Sequence, residues 1–564
     1  MPLRGKRDLG ALIRRKFKTS GLLLQRPARE LLQDALSAVA REQDFAHVQK
    51  ALSLVLDNIN TLTLKSNAID RDTMEQVLSA LNNSGGTTSV LDRTKMFQIV
   101  NAFEVPAFDY DPDKKRFLPH KTAPTLAADA DAKSAMFRHR FNAIRQRLLR
   151  RKEFATHASA NSAAIKLTTV DALLGLSSSE FDDDDDSDSD ANELDEDGVV
   201  ERAQRRTKGP LVTVLGMISL LQEDKCFLED PDGKVELVVQ NAVFPDALLT
   251  ETSIILVEGV YRDRKLYAHN IASPPAEPRA QTDNVFSGTN FFGGHFKEDD
   301  RAALIEEEMT QDSMFVILSD VWLDKPEVLA KLRTLFEGYS GAEPETVKYI
   351  LMGNFLSAPY GKDARQTLEQ CFNELADIIA QFNITSDIVL VPGPLDPGSP
   401  SILPRPPLPT TLTRRFRTRV PNATFTTNPA RLRFGAQEIV LFREDLTSKL
   451  RRNCLLPPRD QDGNDAEDIK LHVIKTLVDQ STLVPLPLHV RPVMWGFSQA
   501  LQLYPVPDVL VTGDRTDTSS MAYEGCVWLN PGAFFISDYS FLCFYPGRAR
   551  ADDPADTVEY CKVP

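Results

Sequence analysis

From Met314 to the C-terminus the chain alternates short apolar runs with helical stretches, and this rhythm restricts the fold more than any other feature. MFVILSD reads as a buried strand ending at Asp320, followed by a helix from Lys325 to Glu337. Val347 to Met352 and Asp387 to Val391 read as further strands, with a helix from Ala364 to Phe382 between them. Runs apolar on both faces need helices above and below a largely parallel sheet, which predicts a layered α/β domain. Glu438 to Phe442, Val509 to Gly513, Cys526 to Asn530 and Phe541 to Tyr545 read as strands, and Ile469 to Gln480 as a helix. This excess of strands predicts two packed sheets with helices outside.

In such a domain ligands bind on loops at the carboxyl ends of strands. Those loops are Ser319-Asp320-Val321-Trp322, Gly353-Asn354-Phe355-Leu356-Ser357, Pro392-Gly393-Pro394-Leu395-Asp396, Gly513-Asp514-Arg515-Thr516 and Asn530-Pro531-Gly532-Ala533-Phe534. Their order resembles the calcineurin-like metallophosphoesterases, whose histidines and carboxylates bridge two divalent metals. Position by position the ligands are missing. Asp320 matches the first aspartate, but Trp322 stands at a histidine position and its indole has no lone pair for a metal. Asn354 replaces the bridging aspartate, Pro394 and Leu395 replace an Asn-His pair, and Asp514 and Thr516 replace a histidine pair. His472 is the candidate for the lone histidine, and Asp396 remains as a loop-holding carboxylate. Two neighbouring cations need several anionic or imidazole ligands. The expectation is no catalytic residues, no bound metal or cofactor, and no hydrolase activity. The eight histidines form no His-x-His pair, and no zinc-ligand cluster is legible.

The rest of the chain reads as separate pieces. Residues 1 to 100 carry helical spacing at Leu31, Leu32, Ala35, Leu36 and Val39, and again at Met74, Val77, Leu78 and Leu81, which predicts a small helical domain. Seven Lys or Arg among the first eighteen residues suit an acidic protein surface or DNA. Residues 101–175 read as an extended arm, with a short hairpin at Asp111 to Lys114, and a helix from Ala130 to Lys152 whose basic half faces solvent or a phosphate backbone. Residues 180 to 197 hold twelve Asp or Glu and no base, so 176–208 is expected to be a disordered insertion or linker. Without that run the net charge falls from -15 to -3, which argues against a broad grip on nucleic acid. Residues 209–280 contain five short strands and suit an OB barrel. Its turns carry Glu229, Asp230, Asp232 and Glu236, which favour a protein-facing surface. Residues 281–564 form the phosphoesterase-like part. The six cysteines include no CxxC, which fits a reducing compartment. No apolar run is long enough to span a membrane.

An OB barrel followed by a degenerate phosphoesterase domain resembles the B subunits of the replicative DNA polymerases, in the epsilon branch. FLEDPDGKVEL, MFVILSDVWLDKPEVLAKL, LMGNFLSAPYGK, VPGPLDPGSPSILPRPPLP, TFTTNPARLRF, LPLHVRPVMWGF and LNPGAFF carry the resemblance, in order, over nearly the whole chain outside the acidic run. It implies an α+β multidomain, non-catalytic accessory subunit in the nucleus. The partner would be the C-terminal cysteine-rich region of the catalytic subunit of DNA polymerase epsilon, which would own any metal. The N-terminal domain would resemble an AAA+ lid and link to GINS and the replicative helicase, with DNA contact indirect or weak. Phe355, Tyr360 and Phe416 are candidate interface anchors, because aromatic side chains supply large desolvated contacts. The competing readings are an active metal-dependent phosphodiesterase and a single-strand DNA-binding module.

Overall fold

The computed structural model describes residues 96–564 except 121–122, 155–164, 177–209, 223–224, 241, 245–246, 295, 297, 360, 362–363, 399–401, 457, 459–468 and 551–556, together with scattered positions between 13 and 74. The acidic run and most of the basic start lie outside the described residues. The chain divides into two compact units, Met1–Phe97 and Gln98–Pro564. In the first, Ile13, Phe17, Leu32, Ile59 and Met74 are buried. Leu23–Leu24 pairs in parallel with Ala68–Ile69. The helical reading had no place for this pair, because two-residue strands are too short for alternation to show.

In the second unit the predicted hairpin is present, with Phe108–Asp111 paired to Arg116–Pro119. Asp111 Oδ1 accepts from the N–H groups of Asp113 and Lys114 and so closes the turn. The barrel is built from Leu211–Gln222, Lys225–Glu229, Lys234–Val238, Ile254–Arg262 and Lys265–Ala272, and the long first strand pairs with both its neighbours. Two additions precede the acidic run. Leu167–Thr168 joins the first strand in parallel, and Val170 and Leu173 of the short helix after it lie in the barrel core. Asp230 Oδ2 accepts from Val170 N–H, so this acid of the barrel turns holds structure.

The helix Ala130–Leu148 presents Arg138 to solvent as read, but not all of its bases. Arg140 and Arg147 are buried, because their partners lie inside the protein. Arg140 donates to the carbonyl of Thr252. Arg147 donates to Ser481 Oγ at 2.6 Å, to Pro274 O at 2.8 Å and to the carbonyl of Asp479, tying the helix to the next domain. The Gln480 side chain completes the joint by pairing with both backbone groups of Ile254 at 2.7 Å. Arg147→Met is therefore expected to lose about 2–3 kcal/mol, since it orphans these buried acceptors. Hydrogen exchange over Ile254–Arg262 should speed up, and an unchanged rate there would rule out a staple.

The C-terminal α/β domain has two six-stranded sheets. The first runs Ala423–Phe425, Ile388–Val391, Val347–Met352, Met314–Leu318, Ser540–Phe544, Val558–Lys562, with its first four strands parallel. Pro326–Gly338, Ala364–Gln381 and Thr410–Arg419 pack on it around Phe336, Phe372 and Phe416. The second runs Ser519–Tyr523, Cys526–Asn530, Val509–Thr512, Gln437–Phe442, Ala430–Phe434, Phe97–Asn101. The segment just ahead of the arm thus supplies an edge strand. Ala430–Phe434 escaped the reading because Arg431 and Arg433 interrupt its apolar run. Both guanidiniums are buried, with Arg433 paired to Glu438 at 2.8 Å.

Candidate functional site

Several strand-end loops meet around one buried carboxylate, that of Asp320. Asp320, at φ +53°, follows Met314–Leu318 and is fully buried. Its Oδ1 accepts from Asn354 N at 3.0 Å, Asn354 Nδ2 at 2.8 Å and Arg443 Nη2 at 2.7 Å. Its Oδ2 accepts from Arg515 Nε at 2.7 Å. Arg443 follows Gln437–Phe442 in the second sheet and is fully buried. It also donates to Gly353 O at 2.5 Å, Gly513 O at 2.6 Å and Asp445 Oδ1 at 3.0 Å. Two guanidiniums therefore occupy both oxygens of Asp320, the carboxylate expected from the sequence to stand at a metal-ligand position. Each supplies fixed positive charge and directional donors, and neither can be deprotonated near neutrality.

The remaining loops are held largely by one another's backbone N–H groups. Asn354 Oδ1 accepts from Leu395 N at 2.7 Å. Asp396 Oδ1 accepts from Phe355 N and its Oδ2 from Gly393 N, both at 2.8 Å. Arg405 donates to the carbonyls of Gly393 and Asp396. Asp514 accepts from Thr447 N at 2.8 Å and Thr516 N at 3.0 Å. Trp322 stacks near Phe535, with ring centroids 5.3 Å apart, and Arg515 lies 5.9 Å above the indole. Pro394 is half-buried in the loop beside Leu395.

The profile of the B-subunit family of DNA polymerases alpha and epsilon matches residues 315–521. That of the DNA polymerase epsilon subunit 2-like OB-fold domain matches 130–182 and 202–275. The chain is 38% identical over 555 residues to DNA polymerase epsilon subunit 2 of Mus musculus, covering 95% of this chain and 96% of that protein. The chain belongs to the DNA polymerase epsilon subunit 2 family. It is 38% identical to the Homo sapiens protein of that name, over 95% of this chain and 96% of that one, and 32% identical to the B subunit of DNA polymerase epsilon of Arabidopsis thaliana, over 96% and 97%. Among solved structures, a novel archaeal phosphodiesterase aligns with 44% of this chain and 98% of its own at 10% identity. Its TM-score of 0.24 is too low to carry an argument. The OB match to 130–182 agrees with the helix and strand that join the barrel ahead of the acidic run.

In this DNA polymerase epsilon subunit 2 family member, several sequence expectations change. His472 does not reach the strand ends. It lies buried on the helix Ile469–Asp479, bonded through its carbonyl to Thr476 Oγ1, with no bond to Asp320, Asn354 or Asp396. A residue on a helix is placed by the helix face, and this face packs on the second sheet's core. Phe355 and Phe416 are not exposed anchors. Both are fully buried against Phe372, with centroids at 5.4 and 5.3 Å. Tyr360 lies outside the described residues. Arg443 was missed, although a charged residue directly after the buried run EIVLF was its sequence signal. Three ligand-type side chains distant in sequence, Asp109, His120 and His139, also converge, outside the strand-end site.

Asp320 and Asp396 respond oppositely to acid. Burial alone would raise Asp320, but Arg443 and Arg515 outweigh it and hold the carboxyl below the usual carboxylate range. Its stabilising contribution is present above the unfolded-state value and is lost as pH falls through the folded one. Burial pushes Asp396 up to about 6, against its two backbone donors and the nearby Arg405 and Arg443. The folded state then binds the extra proton, so this term grows as pH falls through about 6. Compared with Asp396→Asn, the parent chain should gain about 1 kcal/mol between about pH 7 and about pH 5. A constant difference in unfolding free energy across that window would show that Asp396 does not titrate there.

Proposed function

We propose that this chain is a non-catalytic accessory subunit of DNA polymerase epsilon that works by holding protein surfaces together. The observation that carries this reading is the occupation of both Asp320 oxygens by Arg443 and Arg515. In a two-metal hydrolase that carboxylate would face cations able to polarise a phosphoryl oxygen and activate water. Here the charge is neutralised by side chains that cannot activate water, so the loops are left with a structural task. The family relationship, extending over nearly the whole length of the relatives, supports the assignment to polymerase epsilon.

The barrel and the phosphoesterase-like domain, locked together through Arg147 and Gln480, supply the surface for the C-terminal cysteine-rich region of the catalytic chain. The separate unit Met1–Phe97 supplies a second surface, for GINS and the replicative helicase, and the protein works in the nucleus. Co-expression with the C-terminal region of the catalytic chain tests the first surface, and a stoichiometric complex is the expected result. Removal of 1–97 should keep that complex and lose GINS capture. A truncated chain that no longer holds the polymerase would reverse the assignment of surfaces. Manganese-dependent phosphodiester cleavage that disappears in Asp320→Ala would overturn the non-catalytic reading.

A further inference from the structure

We propose that Asp109, His120 and His139 form a binding site for a divalent transition metal of the zinc class, joining the hairpin arm to the basic helix. In the hairpin, Phe108 is opposite Pro119 and Tyr110 opposite Phe117. The His120 N–H donates to Ala107 O at 2.9 Å and extends the ladder by one step. Alternation along a strand then puts Asp109 and His120 on one face as diagonal neighbours. The other face carries Phe108, Tyr110 and Phe117, and it packs on Phe286, Phe291 and Tyr504. The aromatic face therefore fixes the hairpin and leaves the imidazole–carboxylate face towards His139, which comes from Ala130–Leu148.

The distances suit a shared cation. His139 Nε2 lies 2.8 Å from Asp109 Oδ1, and His120 Nε2 lies 3.3 Å from Asp109 Oδ2. One ligand atom from each residue falls within 4.8 Å of the others. Metal–ligand distances of about 2.0–2.2 Å in a tetrahedral zinc site imply edges on the order of 3.3 Å. The two imidazoles approach different oxygens of Asp109 at about this length, and rotation of the exposed His120 ring brings all three groups around one ion. Asp109 Oδ1 is shielded from solvent, with the His139 imidazole as its close polar neighbour. Two neutral imidazoles and one carboxylate match the preference of zinc for nitrogen and oxygen ligands, and solvent at His120 can supply the fourth. This inference stands apart from the accessory-subunit reading, because it uses residues outside the strand-end site.

The test uses the full chain, stripped with chelator and titrated with cobalt(II) and then zinc. One equivalent of cobalt should give the intense visible bands of tetrahedral coordination, and zinc should displace them. Zinc should also raise the thermal midpoint of the parent chain. His120→Gln and His139→Gln should each abolish the bands while keeping the metal-free thermal midpoint. Absence of tetrahedral bands in the parent chain would reduce the cluster to histidine–carboxylate ion pairs and overturn the proposal. Bands that persist in the double variant would overturn it as well, by placing the metal elsewhere.

Discussion

Arg443→Ala is expected to lower stability by roughly 3–5 kcal/mol, the usual cost of removing one partner from a buried charge pair. The size follows from what is left behind. Asp320 stays fully buried and keeps as a cationic partner only Arg515, whose own side chain is partly exposed. The carbonyls of Gly353 and Gly513 lose a charged donor together, and Asp445 loses its bond at 3.0 Å. These acceptors come from both sheets, so the loss is felt between the sheets and not in one loop. The thermal midpoint should fall on the order of 10 °C. Arg443→Lys should recover only part of the loss, because an ammonium restores the charge but cannot span four acceptors with a planar fork. A lysine variant as stable as the parent would show that charge alone matters. An alanine variant within about 1 kcal/mol of the parent would remove the guanidinium from its central place.

Gly353→Ala should be comparably severe, for a steric reason. A Cβ at Gly353 would lie 2.0 Å from Asp396 Oδ2 and 2.7 Å from Gly393 N. The first neighbour is locked by its backbone donors and the second is backbone itself, so neither can give way without moving a whole loop. The loops after Val347–Met352 and Ile388–Val391 approach this closely only because no side chain stands between them. A loss of about 3 kcal/mol or more, or failure to accumulate soluble protein, is the expected outcome. Gly338→Ala is the control. It ends the helix Pro326–Gly338, and nothing lies within 4 Å of its Cβ, so its unfolding midpoint should stay within experimental reach of the parent. Equal behaviour of the two variants would mean that the strand-end loops tolerate a spacing wider than the structure has.

Much of the fold was readable from local pattern. The strands Val347–Met352 and Cys526–Asn530 fall where the apolar runs place them, and Ala364–Gln381 ends one residue short of its expected limit. Strands whose alternation is broken were not readable. Ala430–Phe434 carries two buried arginines made tolerable by Glu438, Phe292, Phe296, Asn290 and nearby carbonyls. Val558–Lys562 is a half-exposed edge with no apolar run, and its pairing with Ser540–Phe544 defines it.

The same division holds at the site. Sequence alone placed Asp320, Asn354, Asp396 and Asp514 at strand ends and showed that these loops carry no histidine, because residue type and local periodicity are properties of the chain alone. Tertiary structure decided what meets Asp320, since Arg443 and Arg515 are 123 and 195 residues further along. It also decided that His472 is buried without a bond to the strand-end carboxylates, sent Phe355 and Phe416 into the core, and drew Asp109, His120 and His139 together. The physical reason is range: backbone geometry and hydrophobic periodicity act over a few residues, whereas charge pairing and packing act between whichever side chains the finished fold brings into contact.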